Sequence, residues 1–395
     1  MFGHDDEWFG SRYRGRRVLV TGHTGFKGSW LTRWLHRLGA EVHGLALNPS
    51  DDQRLFADAN LSRCLATDHR VDLRDHRVVA DVVARAAPEF VFHLAAQPLV
   101  RLSYAIPRET FEVNVIGTAT VLDAVLSVGG PCNVVCVTTD KCYENREWEH
   151  AYRETDAMGG HDPYSASKGC AELLIASYRR SFTADADHPV RIASARAGNV
   201  IGGGDWAADR IVPDVFRAAL DERAVEIRNR TATRPWQHVL EPLGGYLHLG
   251  SMLDGAGETR RPAVRPADCT DGFNFGPTIE SNRTVAELVE SFAAHIPLDI
   301  VDASDPNAPH EAGRLNLSTD RATHRLGWRP VWDFATTIEV TADFYVEQQR
   351  GTDARTLMDR QIRRYVADAL DSSDGSVGSG DETRKNGSRV VPKAA

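Results

Sequence analysis

The stretch Arg17-Val18-Leu19-Val20-Thr21-Gly22-His23-Thr24-Gly25-Phe26-Lys27-Gly28 joins a short β-branched run to three glycines, and a helical pattern follows from Ser29 to Leu38. Gly22 permits a tight turn, Gly25 lets the backbone approach a pyrophosphate, and Gly28 allows a helix to pack closely on a strand. The spacing is Gly-x-x-Gly-x-x-Gly rather than Gly-x-Gly-x-x-Gly. A glycine turn without a ligand is the alternative, but the flanking strand and helix favour dinucleotide binding.

Short apolar segments alternate with helical patterns through the first half of the chain. The predicted strands are 18–21, 41–45, 69–73, 90–94, 133–138 and 190–195, and the predicted helices are 29–38, 75–86, 113–128 and 163–178. This alternation is typical of an α/β protein with a Rossmann-type, doubly wound parallel sheet. Beyond residue 201 the pattern becomes irregular, which predicts a smaller mixed α/β lobe for substrate binding.

The same patterns divide the chain into regions. We predict an N-terminal extension at 1–15, a Rossmann domain at 16–200, a lobe mainly for substrate at 201–368 and a tail at 369–395. The segment 240–277 is expected to return to the main sheet, because part of it is helical in pattern and 272–275 is strand-like. The tail from about Ser372 is too poor in apolar residues to offset the entropy of ordering, so we expect disorder there.

Composition restricts the class of protein. The chain has 395 residues, a net charge of −9 and a sequence pI near 5.9. This acidic balance argues against general binding to nucleic acid or to a membrane surface. The sequence shows no obvious apolar run of the roughly 18 to 20 residues that span a bilayer, and its acidic, polar start is unlike a signal peptide. We therefore expect a cytoplasmic location.

The cysteines and histidines give no metal motif. Six cysteines occur without a Cys-x-x-Cys pair, which indicates free thiols buried in the fold. The 15 histidines form no His-Glu-x-x-His motif and no clustered Cys/His spacing. We predict no metal site.

A tyrosine and a lysine at helical spacing form the most informative pair. Tyr164 and Lys168 share one helix face, and they follow a predicted strand that ends in Thr139, Asp140 and Lys141. A phenol titrates near pH ~10 in water, and a neighbouring ammonium favours the phenolate. The pair therefore predicts a base that takes the proton of a sugar hydroxyl during oxidation. An ordinary exposed helix face is the alternative for the pair taken alone.

With the glycine turn, Thr139, Tyr164 and Lys168 in place, the chain resembles the extended short-chain dehydrogenase/reductase family from about Arg16 to Tyr345. The resemblance implies that these three polar residues form the redox triad and that tightly held NAD is the cofactor. It also implies a structural role for Asn114. The residues that it places beside NAD are Gly22, Thr24, Gly25, Phe26, Lys27, Asp72, Leu73, Leu94, Ala95, Ala96, Gln97, Tyr164 and Lys168.

A narrower resemblance rests on five blocks in order. Residues 21–31, 139–145, 159–165, 196–206 and 234–239 read TGHTGFKGSWL, TDKCYEN, GGHDPYS, RAGNVIGGGDW and RPWQHV. These blocks resemble segments of the CDP-glucose 4,6-dehydratases, a branch of that family. The resemblance implies CDP-glucose as substrate. The alternatives are another nucleotide-sugar 4,6-dehydratase, a 4-epimerase, or a non-catalytic dinucleotide-binding regulator.

The resemblance also implies roles in catalysis. Tyr164 takes the proton of the C4 hydroxyl as hydride leaves for NAD, Thr139 hydrogen-bonds that oxygen, and Lys168 lowers the pKa of the tyrosine. Asp140 and Lys141 are positioned for elimination of water across C5 and C6, after which the hydride returns to C6. Related dTDP-glucose enzymes have Asp-Glu here, so the lysine leaves the C5 base open between Lys141 and another group.

Substrate contacts and cofactor choice complete the expectations. The residues implied for substrate are Gln97, Arg101, Asn199, Arg210, Arg234 and His238. The second strand ends without the acidic residue that holds the ribose of NAD and without an arginine for the phosphate of NADP, so Asp51 or Asp52 could supply the acid. Kinship implies a homodimer or higher homo-oligomer that pairs through two long helices.

Overall fold

The centre of the fold is a parallel sheet, seen in a computed structural model that describes residues 8–208, 210–259, 263–304 and 313–374. Its strands are β1 (Arg17–Thr21), β2 (Glu41–Ala46), β3 (Thr67–Arg70), β4 (Phe90–His93), β5 (Cys132–Val137), β6 (Val190–Arg196) and β7 (Gly272–Asn274). They lie in the order β7-β6-β5-β4-β1-β2-β3, and every neighbouring pair is parallel. The order doubles back at β1, so the predicted doubly wound α/β fold is confirmed.

The two edge strands of the sheet, β3 and β7, compare differently with the sequence pattern. β3 is the edge of the sheet and is mostly exposed, so its polar residues give no apolar signal and the predicted strand was set too late. β7 pairs with β6 after a long excursion of the chain, so residues 272–274 lie in the main sheet.

Helices cover both faces of the sheet. One face packs against helices Phe26–Arg37, Leu240–Leu253 and Ala354–Asp374. The other packs against helices His76–Ala86, Gly117–Val128 and Pro163–Phe182. Both layers bury aliphatic residues of the central strands, which gives the sheet two separate apolar cores.

The helix before β5 is longer than its pattern predicts. Short helices at Val100–Ala105 and Pro107–Phe111 precede a π-helical turn at Glu112–Ile116, which continues directly into Gly117–Val128. Within Pro107–Val128, an 18-residue window has a mean hydropathy of 1.5, so this stretch could cross a membrane by length and composition, against the sequence expectation. In that window 44% is buried, and the stretch packs beside helix Pro163–Phe182, as a core helix of the sheet does.

The smaller lobe has its own apolar core. Helices Ile211–Leu220, Val285–Ala293 and Phe334–Gln349 surround it. Short strands form three pairs, Val225–Ile227 with Ile300–Asp302, Thr233–Pro235 with Asn282–Thr284, and Val200–Ile201 with Gln237–His238. The remaining helical turns are Leu55–Asp58, Leu61–Cys64, Asp140–Cys142, Ala256–Thr259, Pro266–Cys269, Ile279–Ser281 and Ala322–Leu326.

Both ends of the described chain pack on the main domain. In the N-terminal extension, Phe9 and Tyr13 are buried, and the Tyr13 hydroxyl donates to the Leu247 carbonyl at 2.5 Å. The last helix runs to Asp374, beyond residue 369 where the sequence predicts a tail, because its apolar side packs on the core. The predicted disorder after that point lies outside the described residues. Of the six free cysteines five are buried, whereas Cys170 is exposed.

Candidate active site

A cavity of about 1250 Å³ opens at the carboxyl ends of the strands, between the sheet and the smaller lobe. The point where the strand order reverses is where an α/β sheet binds its ligand. The cavity is lined by all the residues predicted for catalysis and for the cofactor, and by five of the six predicted for substrate. His238 is the exception.

The glycine turn is packed as a dinucleotide site requires. Gly22 has φ +73°, and a Cβ there would lie 2.7 Å from the Ala95 amide nitrogen. A Cβ on Gly28 would collide with the Gly22 carbonyl, so both positions need glycine. Helix Phe26–Arg37 begins at the cavity with Gly25 as its N-cap, and no side chain caps it. Its first amides are therefore suited to the pyrophosphate of NAD.

Acidic side chains line the part of the cavity where the adenosine of NAD would lie. Asp72 lines the cavity and is held by Arg74 at 2.6 Å, a hydrogen bond that lowers the pKa of the carboxyl. Asp52 also lines the cavity and accepts the Ser50 hydroxyl at 2.5 Å, whereas Asp51 faces a smaller neighbouring cavity. Of the two aspartates proposed for the ribose, Asp52 is the one that faces this site.

Asn114 connects the cofactor loop to the catalytic helix. Its side chain accepts from the Gln97 amide at 2.8 Å and donates to the Gln97 carbonyl at 3.1 Å. It also donates to the Ser167 hydroxyl at 2.8 Å, on the helix that carries the tyrosine. The side chain thus fixes the Gln97 loop relative to Tyr164, in agreement with the structural role expected for it.

The three residues predicted to form the redox triad line the same cavity and are buried. Asp162 caps the helix by accepting from the Ser165 amide at 2.9 Å, and Tyr164 and Lys168 then face the cavity. The Thr139 hydroxyl acts on the Tyr164 phenol and lowers its pKa.

Burial changes the acid–base properties expected from this spacing. It raises the pKa of Tyr164 to about 12, against smaller lowering effects of the Thr139 hydrogen bond and of Arg210. It also lowers the pKa of Lys168 to about 8, so the ammonium is itself weakened. Desolvation dominates the pKa of Tyr164 in this structure, and the spacing carries no information on it. The lowering of that pKa by Lys168 stays a prediction.

Asp140 is the most buried of the predicted catalytic groups. It accepts from the Thr139 hydroxyl through Oδ1 at 2.8 Å and is 1% exposed. Its Oδ2 has no hydrogen-bond partner within the described ranges 8–208, 210–259, 263–304 and 313–374. Gly198 packs directly against the carboxyl, where a side chain would collide with it. Lys141 follows on the same turn and lines the cavity.

Cations from both the sheet domain and the smaller lobe line the cavity. Arg210 pairs with Asp205 at 2.8 Å, and its guanidinium lies close enough to Tyr164 to affect the pKa of the phenol. Lys27 is close to Arg210, and burial together with that neighbour lowers the pKa of Lys27 to about 8. Arg101, Arg234 and Asn199 line the same space. The arrangement suits a diphosphate, because guanidinium groups bind phosphate oxygens well.

His238 is placed in the core rather than in the cavity. Its ring packs against Trp30 and Trp332, and its Nδ1 accepts from the Leu240 amide at 3.3 Å. Burial lowers the pKa of His238 to about 3, so the ring is neutral. The expected substrate contact is replaced by aromatic packing.

A buried ion pair beneath the triad is absent from the sequence expectations. Glu172 accepts from Arg196 at 2.7 Å, from the Thr138 hydroxyl at 2.5 Å and from the Ser194 hydroxyl at 2.8 Å. Arg196 also donates to the Tyr143 hydroxyl at 2.6 Å. The available signal was the helical spacing, since Glu172 lies one turn beyond Lys168 on the same helix face. Within the described residues, no cluster of three or more His, Cys, Asp or Glu side chains is arranged to hold a metal ion.

Comparison with known proteins agrees with this geometry. A family model described as GDP-mannose 4,6 dehydratase matches residues 19–341. The CDP-glucose 4,6-dehydratase of Salmonella typhimurium is 45% identical over 362 residues, which cover 90% of this chain and 97% of that protein. The dTDP-glucose 4,6-dehydratase of Streptomyces antibioticus is 29% identical over 339 residues, covering 83% of this chain and 92% of that protein.

Solved structures show the same fold. The dTDP-glucose 4,6-dehydratase of Streptomyces venezuelae, solved with NAD and TYD bound, superposes with a TM-score of 0.71 at 23% identity. The match covers 85% of this chain and 98% of that chain. At this level of identity the likeness concerns the arrangement of the sheet and its two helix layers.

Proposed function

Because the chain belongs to the GDP-mannose 4,6-dehydratase family, we propose that it is an NAD-dependent nucleotide-sugar 4,6-dehydratase that converts CDP-glucose to CDP-4-keto-6-deoxyglucose and water. The observation that carries this proposal is the 45% identity to a CDP-glucose 4,6-dehydratase over 90% of the chain. The cavity supports it, since Thr139, Asp140 and Tyr164 line one space beside the glycine turn.

NAD, held at the glycine turn and by Asp52 and Asp72, supplies the capacity to accept a hydride from C4 and to return it to C6. The chain's own groups handle the protons. Tyr164 takes the proton of the C4 hydroxyl, and Asp140 gives a proton to the C6 hydroxyl as it leaves. The C5 proton goes to Lys141 or to another group that lines the cavity.

The diphosphate of the nucleotide would be held by the cations that line the cavity. Arg101 from the sheet domain and Arg210 and Arg234 from the smaller lobe line the cavity and would neutralise the diphosphate. Gln97 and Asn199 remain proposed contacts to the sugar or its diphosphate. Asn199 lies in the turn after β6 and has a left-handed backbone conformation, with φ +45°. Selection of cytidine rests on the similarity to the Salmonella enzyme.

The test is incubation of the purified protein with NAD and CDP-glucose, with dTDP-, UDP- and GDP-sugars in parallel. We expect CDP-glucose to give a 4-keto-6-deoxy sugar, detected by its absorbance in alkali and by a mass lower by one water. Formation of the C4 epimer without loss of water would identify a 4-epimerase, and no conversion of any sugar would favour a non-catalytic role.

Gly198→Ala is expected to lower kcat by about 100-fold with little change in stability. The new Cβ must displace the Asp140 carboxyl, and a shift of about 1 Å at a catalytic group has a cost of this size. The matched control is Gly130→Ala, since a Cβ there meets nothing within 4 Å. Steady-state kinetics and thermal unfolding measure both. Normal activity of the Gly198 variant would contradict the role of Asp140.

We also propose a cytoplasmic homodimer. Helices Pro107–Phe111, Gly117–Val128 and Pro163–Phe182 lie side by side on the outer face of the sheet domain. They expose the apolar side chains of Ile116, Leu173 and Phe182. Apolar area of this kind on neighbouring helices is suited to pairing with a second copy.

A further inference from the structure

A non-glycine residue with a left-handed backbone follows the helical turn Asp140–Cys142, which carries the proposed acid. Glu147 has φ +54°, a conformation that costs free energy for a residue with a side chain. Its backbone amide donates to the Asn145 side chain at 3.0 Å, and the Asn145 side chain donates back to the Glu147 carboxylate at 3.1 Å. The Tyr152 hydroxyl also donates to Asn145, at 3.0 Å. These bonds hold the Glu147 carboxylate in one direction.

The Glu147 carboxylate binds two successive backbone amides of a distant segment. Its Oε1 accepts from the Gly313 amide at 2.9 Å, and its Oε2 accepts from the Arg314 amide at 2.7 Å. Hydrogen bonds from backbone amides to a carboxylate are short and strong because the acceptor is charged. Glu147 therefore fixes the peptide bond between Gly313 and Arg314 relative to the turn Asp140–Cys142.

The same peptide bond contacts Arg234 on its other side. In a trans peptide the N–H and the C=O point in opposite directions. Because Glu147 holds the Arg314 N–H, the Gly313 carbonyl is directed away from the carboxylate. That carbonyl accepts from the Thr233 amide at 3.0 Å and from Arg234 Nη1 at 3.3 Å. Nη1 also donates to the Thr233 carbonyl at 2.9 Å, and Arg234 lines the cavity.

We propose that Glu147 is a positioning residue for the substrate diphosphate, acting through the Gly313 carbonyl on the Arg234 guanidinium. A guanidinium binds phosphate through a rigid fork, so the direction of the fork determines how well it meets the phosphate oxygens. Glu147 itself lies outside the cavity lining and touches no substrate. The inference rests on the proposed function, because it takes Arg234 as a contact to the diphosphate.

The first test is Glu147→Gln, which keeps the length of the side chain but replaces one acceptor oxygen by a donor. We expect KM for CDP-glucose to rise by about tenfold, with kcat within about threefold of the wild type. The Kd of CDP, measured by calorimetry, should rise by the same factor, because CDP contains the diphosphate without the glucose. The matched control is Glu149→Gln, since Glu149 pairs at 3.4 Å with the exposed side chain of Arg314 rather than with its amide. That control should leave both constants unchanged.

A second variant tests the same contact from the other side. A Cβ on Gly313 would lie 2.9 Å from Glu147 Oε2, so Gly313→Ala must displace the carboxylate. We expect it to raise the Kd of CDP by about threefold or more and to leave kcat nearly unchanged. Because it retains every charged side chain, an effect on CDP binding cannot come from a change in net charge.

A double variant separates positioning from a general loss of structure. Arg234→Gln alone should raise the Kd of CDP by at least about tenfold. Adding Glu147→Gln should raise it by less than about twofold further, because a residue that acts through Arg234 has no effect once the guanidinium is gone. A general loss of structure would add its own effect in both backgrounds. Melting temperatures of all variants are measured alongside.

Two results would overturn the inference. One is a loss of CDP affinity from Glu147→Gln that persists at about tenfold in the Arg234→Gln background. The other is normal CDP binding by both Glu147→Gln and Gly313→Ala. A wild type that binds CDP but makes no ketone from CDP-glucose refutes the proposed function alone, since the CDP measurements still test Glu147. A wild type that binds no CDP refutes the placement of Arg234 at a diphosphate, and the inference with it.

Discussion

Tyr164→Phe is expected to lower kcat on CDP-glucose by about 1000-fold, because the variant lacks the group that takes the proton of the C4 hydroxyl. The ring itself should stay in place, since phenylalanine fills the same buried space on helix Pro163–Phe182. We therefore expect little change in KM and in the melting temperature. Steady-state kinetics and binding of NAD by calorimetry provide the measurements.

The matched control for this variant is on the same helix. Tyr178 donates its hydroxyl to Asp123 at 2.8 Å near the protein surface, away from the cavity. Tyr178→Phe should leave kcat unchanged. If Tyr164→Phe kept more than about a tenth of the wild-type kcat, another group would have to be the base.

Much of the fold follows from local patterns. The glycine turn, the apolar strands and the returning strand β7 are visible in the sequence because buried parallel strands are short continuous apolar runs. β3 breaks that rule, since an exposed edge strand carries polar residues. The last helix runs past residue 369, where the sequence predicts a tail, because its core contacts come from distant segments, which a local pattern cannot contain.

The sequence predicts which residues line the cavity, but it does not predict how each side chain is packed or desolvated. The cavity contains the residues that the motifs indicate, because the carboxyl ends of neighbouring strands converge. His238 was misplaced, since its partners Trp30 and Trp332 lie far away in the chain. The upward shift of the Tyr164 pKa by burial could not be predicted for a related reason. Desolvation depends on everything packed around a group, whereas the Tyr–Lys spacing reports one neighbour.

The largest expected effect on stability is that of Glu172→Ala, which should lower the free energy of unfolding by about 3 to 5 kcal/mol. The substitution leaves the buried Arg196 without its carboxylate partner and removes the acceptor of two hydroxyl donors. Both members of the pair are buried, with side chains 5% and 2% exposed. Removing one member of a buried ion pair destabilises a fold by far more than the intact pair stabilises it relative to two apolar residues. Urea unfolding at pH 7 measures the difference.

The pH dependence of unfolding gives a second measurement of the same pair. Burial raises the pKa of Glu172, but Arg196 and the hydroxyl donors outweigh it, so the net shift is downward. A carboxyl with a lowered pKa stabilises the fold above its unfolded value of about 4.3, and that stability is lost as pH falls through the folded value. The wild type should therefore lose more stability than Glu172→Gln as pH drops below about 4.

The control for Glu172→Ala is an ion pair at the surface. Arg265 and Asp268 are 2.9 Å apart with side chains 75% and 44% exposed, so Asp268→Ala should cost less than about 1 kcal/mol. Equal costs for the two alanine variants would contradict the argument, because water would then be screening the Glu172 pair as well. A large loss from Glu172→Ala that is partly restored by adding Arg196→Met would instead identify the stranded guanidinium as its cause.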